Sequence, residues 1–314
     1  MNRRFWLLAS CCAVLLGLLG PSPGHAQSIS SDRPGFGDGA STVRQGTLQA
    51  ELGYQLTRAN TNRSVVAAGR IVRLDVDETQ HAIGQLILRY GATDALELRG
   101  GIGSYSAVSA EGEACVQAAY RPYPVDLDCR TTESQAANDG IATTIDERES
   151  GYVGAGVGPQ PGATLGTKVR LFRNETAMLS ALATTTLPLA DDAFSGGDDR
   201  ARQEIKLAFN GALGSSISLL INGGANFFWA SGIQEDRAPV WLFTPSLTVG
   251  LSERVSAYVG YGGFYRDGPN QNFVEGALTL LPTANLQLDV NTGLRVDDNV
   301  DALFFVGLGL SHRF

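Results

Sequence analysis

The chain has almost no lysine, little histidine and no long apolar run beyond its N-terminus. Lysine occurs only at Lys168 and Lys206 among 314 residues, and histidine occurs three times. Past the first twenty or so residues nothing approaches the roughly 18–20 consecutive apolar residues of a membrane-spanning helix, which excludes a helical membrane protein. A formal charge of -8 gives a polyanion nothing to hold, so nucleic acid is not an expected partner. The four cysteines show no metal-type spacing with one another or with histidine, and no cofactor is expected. Asp191, Asp192, Asp198 and Asp199 flank Gly196-Gly197 without calcium-loop spacing, which leaves a solvated acidic loop. No proline- or serine-rich linker divides the chain, so one domain is expected.

What the N-terminus holds is an export signal. Arg3 and Arg4 form a positive region, Phe5 to Leu19 an apolar one, and Pro21, Pro23 and Gly24-His25-Ala26 a breaker and small-residue cleavage site. Residues 1–26 are read as a cleaved signal peptide and Gln27 as the mature start. Leu8-Ala9-Ser10-Cys11 mimics a lipoprotein box but comes too early in the apolar run. Removing the signal takes away two arginines and no acids, moving the formal charge from -8 to -10. Cys115 and Cys129 survive export within one polar segment, and in an oxidising compartment they are expected to pair, worth roughly 3 kcal/mol by the chain-entropy estimate.

The rest of the chain alternates. Period-two runs fall at about 46–58, 80–91, 95–106, 163–172, 176–187, 203–213, 217–229, 240–251, 255–265, 273–281, 286–295 and 302–314, twelve in all. Connectors alternate as well. Ala92–Asp94, Arg173–Glu175, Gly214–Ser216, Ser252–Arg254 and Pro282–Asn285 are tight. Ala59–Thr79, Ala107–Gly162, Pro188–Arg202, Ala230–Pro239, Arg266–Asn272 and Val296–Asp301 are longer or more acidic. A soluble sandwich has no reason to sort its loops this way, whereas a transmembrane barrel carries turns on the periplasmic side and loops outside. The fold class is therefore all-β, a transmembrane antiparallel up-and-down barrel of about twelve strands over residues 46–314, with both termini periplasmic and 107–162 a long extracellular loop. Pro245 falls inside the eighth run and predicts a bulge or distorted pair, since a closed barrel has no free edge. The fifth run is poorly amphipathic.

Register assigns the faces. In the first strand Leu48, Ala50, Leu52, Tyr54 and Leu56 face one side, and Thr47, Gln49, Glu51, Gly53, Gln55 and Thr57 the other. By the same register Glu51, Arg89, Glu97, Arg99, Lys168, Arg170, Glu204, Lys206, Asp289 and Arg295 point inward, because an Arg or Lys facing lipid near the midplane costs about 2–4 kcal/mol. These are the candidate lumen residues. One reading makes them a mixed-charge constriction that selects solutes. The other makes them a mutually neutralised lumen filling. Phe304, Val306, Leu308, Leu310 and Phe314 form the outward row of a last strand that ends on an aromatic, which resembles the signal read by the barrel-assembly machinery. Closure requires that strand to pair with 46–58.

Ser31-Asp32-Arg33-Pro34-Gly35-Phe36, followed by Gln49-Ala50-Glu51-Leu52-Gly53-Tyr54, resembles the opening of the outer-membrane transporter family named after the meta-pathway of phenol degradation. The resemblance implies a barrel that passes small, often aromatic, compounds, and it carries over no catalytic residues. Residues 27–45 are then either a lumen plug, with Asp32, Arg33, Pro34 and Phe36 as its contacts, or a periplasmic leader. The expected function is passive passage of small, possibly aromatic, molecules, with outer-membrane lipid, the assembly machinery and a small-molecule solute as partners. A structural or surface-interaction barrel with a closed lumen is the alternative. An ester hydrolase is more remote: the mature chain has only His81 and His312, and neither sits in a nucleophile–base element.

Overall fold

In a computed structural model, residues 29, 31–32, 35–67, 70–117, 144–153, 163–187, 201–229, 239–266, 270–297 and 303–314 are described. The export signal and Arg33, Pro34 and Cys129 lie outside them. The described residues form strands only: β1 (Leu48–Ala67), β2 (Arg70–Gly91), β3 (Leu96–Ile102), β4 (Ser104–Gln117), β5 (Thr144–Val153), β6 (Ala163–Arg173), β7 (Ala177–Leu187), β8 (Ala201–Ala212), β9 (Ile217–Trp229), β10 (Val240–Gly250), β11 (Val255–Tyr265), β12 (Gln271–Thr283), β13 (Leu286–Arg295) and β14 (Leu303–Arg313).

Every pairing between strands is antiparallel, and the sheet closes on itself through β1 and β14, from Gln49 opposite Arg313 to Ala59 opposite Leu303. The barrel proper has twelve strands, β1, β2, β3 and β6 to β14, in agreement with the period-two reading. Most span 10–13 residues, close to the 9–11 that a tilted strand needs to cross hydrocarbon. The alternation has the physical consequence expected of it. On β8, Ile205 and Leu207 are each half exposed outward, while Lys206 and Ala208 between and beyond them are buried inward. Leu52, Leu165, Val259, Phe304 and Leu308 continue this outer apolar band on other strands. A band of this size is unfavourable in water and natural against lipid.

Three features depart from the simple alternation. First, the segments read as loops at 59–79 and within 107–162 are partly strand: β1 and β2 pair on to Ala67 opposite Arg70, and β4 pairs with both β2 and β5. The β1–β2 extension lies beyond the level at which β14 leaves β1; its β1 half is mostly polar, whereas Val72, Leu74 and Val76 on β2 keep a period-two row that the sequence reading passed over. Second, β2 is not a single alternating run. Gly53 pairs with Gln85 but Tyr54 with Ile83, so Gly84 is an extra residue, at φ +79°, and the facing of β2 inverts across it. Opposite it, Gly103 separates β3 from β4 with the register unchanged, Leu86 facing Ile102 and Ile83 facing Tyr105. Third, Pro245 produces an interruption without a slip. The β10–β11 ladder lapses between Phe243–Gly263 and Ser246–Gly260, while β9 pairs through it with Pro245 opposite Ile221. The interruption therefore removes two residue pairs, those of Thr244 and Pro245, on one side only.

A Cβ at Gly84 would meet no atom within 4 Å, so any penalty there comes from its backbone conformation alone. Gly84→Ala is expected to lower stability by about 1–2 kcal/mol, read as the midpoint of urea unfolding in detergent. An unchanged midpoint would show that the bulge tolerates a side chain.

Candidate functional site

The wall brings charges together by register. Gln49 on β1 lies opposite Arg89 on β2, Arg89 opposite Arg99 on β3, and Glu97 opposite Lys168 on β6. Two arginines directly opposite one another repel, and the surrounding acids resolve the conflict. Arg89 donates from Nε and Nη2 to the two oxygens of Glu97 at 2.8 and 2.9 Å, and from Nη1 to Glu51 at 2.9 Å. Gln49 supports Glu51 with a further bond of 2.7 Å. The side chains of Arg89, Glu51, Glu97 and Lys168 are entirely shielded from solvent.

What shields them is the chain preceding β1. The described residues of this segment, 29, 31–32 and 35–45, run inside the barrel as a loop with both arms toward the short-turn rim. One arm starts beside Ser311, near the end of β14, with which Ser31 bonds at 2.8 Å. The other leaves through Thr42, whose hydroxyl donates to the Asp94 carbonyl, and a bridge of Gln45 to Gly91. The tip, Phe36, reaches toward the opposite rim.

Each arm carries a carboxylate into the cation cluster. Asp32 meets Arg99 at 2.5 Å and Lys168 at 3.0 Å, with Arg89 at 3.5 Å. It also accepts the Gly39 N–H at 2.9 Å, which ties the arms together. Asp38 meets Arg99 at 2.9 Å and Lys206, while Lys206 also reaches Glu204 at 2.8 Å. The backbone is held by inward side chains that act in place of a partner strand. Asn222 exchanges two bonds with Asp38, Asn210 accepts from Ala40 N, Ser180 donates to the Ala40 carbonyl, and Glu97 accepts from Val43 N at 2.8 Å.

The tip is held differently. Phe36 packs against Phe264, Phe273 and Phe305 with centroids 5.7, 5.3 and 5.6 Å away, and its N–H donates to Glu275 at 3.0 Å. A Cβ at Gly262 would come within 2.6 Å of the Phe36 ring, so only glycine leaves that ring its place.

Of the ten inward candidates, seven meet the interior segment or one another: Glu51, Arg89, Glu97, Arg99, Lys168, Glu204 and Lys206. Arg170 touches its rim end through Thr42 at 3.5 Å. Asp289 and Arg295 belong elsewhere: Asp289 lies against Gly309, and Arg295 pairs with Asp297 at 2.7 Å. Asp32 and Phe36 make the contacts just described; Arg33 and Pro34 fall outside the described residues, as does the expected Cys115–Cys129 bond. Sequence reasoning missed Asp38, Glu275, Ser180, Asn210 and Asn222. Gly35-Phe36-Gly37-Asp38-Gly39 was the available signal, since three glycines around one aromatic and one acid permit close approach on every side. His81 bonds Tyr54 at 2.9 Å and His312 meets Phe314 edge-on with centroids 4.5 Å apart. Neither contact is a nucleophile–base pair.

A closed twelve-stranded barrel with an outward apolar band and charges buried within defines an outer-membrane β-barrel protein. The chain belongs to the family described as "Putative MetA-pathway of phenol degradation", whose model matches residues 31–314. The fold is similar to that of the COG4313 outer membrane channel from Pseudomonas putida F1, with TM-score 0.51 and 15% identity over 88% of this chain and 98% of that one. A more distant likeness is to the Pseudomonas putida toluene transporter TodX, with TM-score 0.41 and 9% identity over 88% of this chain and 96% of that one. No curated protein matches the chain.

Arg89 is the hub of the cluster, and removing one partner of a buried ion pair costs about 3–5 kcal/mol. Arg89→Met is therefore expected to destabilise the barrel by that amount in urea unfolding. A loss under about 1 kcal/mol, the level of an exposed pair, would mean that water reaches the cluster.

Proposed function

We propose that the protein is an outer-membrane channel through which small molecules, aromatic ones among them, pass passively, and that residues 27–45 form a removable plug in its lumen. On this reading residues 1–26 direct export, the short-turn rim and both termini face the periplasm, and the β14 row ending at Phe314 serves assembly. No chemical step is proposed.

The observation that carries the reading is that a separate piece of chain, and not the wall, completes the lumen packing. A barrel built only as a scaffold would fill its interior with wall side chains, as eight-stranded barrels do. Here the wall instead presents Asn, Ser, Lys and Arg donors and acceptors to a loop that, among the described residues, is joined to it covalently only where Gly46 and Thr47 lead into β1. Both arms leave by one rim, so withdrawal toward that rim threads nothing. The aromatic contacts of Phe36 support the solute class, because a surface that holds one phenyl ring by edge and face suits another. The fold shared with a solved outer membrane channel agrees with it.

The second reading, a permanently closed structural barrel, is favoured by the complete burial of Arg89 and Lys168. Planar-bilayer recording separates the two. Phe36→Ala removes the half-buried ring from its cage of three phenylalanines and with it the apolar hold on the tip. Opening events are expected to become more frequent and longer than in the wild type, and to respond to added aromatic solutes. Folded wild type and variant that both stay electrically silent would sink the channel reading.

A further inference from the structure

The plug's two carboxylates occupy what is, on the wall, an anion receptor. Lys168 Nζ stands 3.0 Å from both oxygens of Asp32, Arg99 Nη2 stands 2.5 Å from Oδ2, and the same Arg99 reaches Asp38 through Nη1 at 2.9 Å. Arg89 and Lys206 complete the set on flanking strands. The wall acids Glu51, Glu97 and Glu204 offset only part of this charge, and Arg202 and Arg170 extend the same positive side along β8 and β6. While the segment is seated, Asp32 and Asp38 supply the balance. Once it withdraws, the cations remain on a narrow wall with fewer anions than charges, a state that attracts a replacement anion from solution.

From this we infer that the open channel carries a binding site for small organic carboxylates, formed by Arg89, Arg99, Lys168 and Lys206, and that such a solute competes with the plug for those four side chains. The inference rests on the channel reading. A carboxylate binds only the open state, because Asp32 and Asp38 fill the site in the closed one. By linkage, a ligand that binds one of two states shifts the population toward it in proportion to its differential affinity. The solute thus promotes its own passage, and a neutral molecule of the same size and shape does not. Fixed cations lining a pore also set its ion preference toward anions.

The test uses the full-length protein in planar bilayers, with benzoate and benzamide as probes of matched shape that differ in charge. Benzoate is expected to raise the open probability of the wild type by roughly fivefold or more, the lower range of ordinary ligand-coupled equilibria, and benzamide to leave it unchanged. The double variant Asp32→Asn, Asp38→Asn is expected to open without benzoate and to show a chloride-preferring reversal potential in a potassium chloride gradient. Equal responses to benzoate and benzamide, or a cation-preferring open state, would overturn the inference while leaving a channel in place. Silence from wild type and variant under every condition would remove the channel and the inference together. The two-probe comparison on the wild type stands alone should the variant fail to fold.

Discussion

Four cations on one stretch of the wall, three buried and Arg99 nearly so, are the constraint around which the interior is organised. Arg89, Arg99, Lys168 and Lys206 lie on β2, β3, β6 and β8, and burial of each without a counter-charge would cost several kcal/mol. The wall answers only in part, through Glu51, Glu97 and Glu204. The remainder comes from Asp32 and Asp38 on a segment with no strand of its own. The barrel interior and the N-terminal segment are therefore one electrostatic unit, and neither is complete without the other.

This dependence explains the uneven chemistry of the segment's attachment. Around the cations the contacts are charged and multivalent, with Asp32 shared among Arg89, Arg99 and Lys168, and Arg99 shared among Asp32, Asp38 and Glu97. At the tip they are aromatic, with one hydrogen bond to Glu275. Between them run amide and hydroxyl side chains that copy the ladder bonds of a strand. A packed apolar core would be tighter and less readily undone. Polar contacts exchange for water at a small net cost once water can replace them, which is what the proposed withdrawal of the segment requires.

Much of the wall was legible because a barrel strand writes its environment into every second residue. Glu97 and Arg99 flank Leu98, and Glu204 and Lys206 flank Ile205, so period two alone sent these charges inward. The same rule failed where glycine or polarity broke the period. Gly84 inverts β2 without any change in composition, and β1 past Ala59 and β5 are mostly polar. Asp38 and Glu275 were missed for another reason. One sits in a segment with no period, and the other gains its meaning only from the Phe36 N–H brought to it from 239 residues away.

The sequence by itself determined the all-β class, the twelve wall strands, their inward and outward faces except across Gly84, and the closing pair, because local alternation against two solvents leaves little freedom in these. It left open whether residues 27–45 were plug or leader, and whether the inward charges formed a constriction or a neutralised filling. Tertiary structure decided which charges meet, since Asp32 and Asp38 reach cations on four different strands only when the closed barrel brings those strands around one loop. Such contacts depend on closure and on the path of the segment, and no spacing along the chain encodes either.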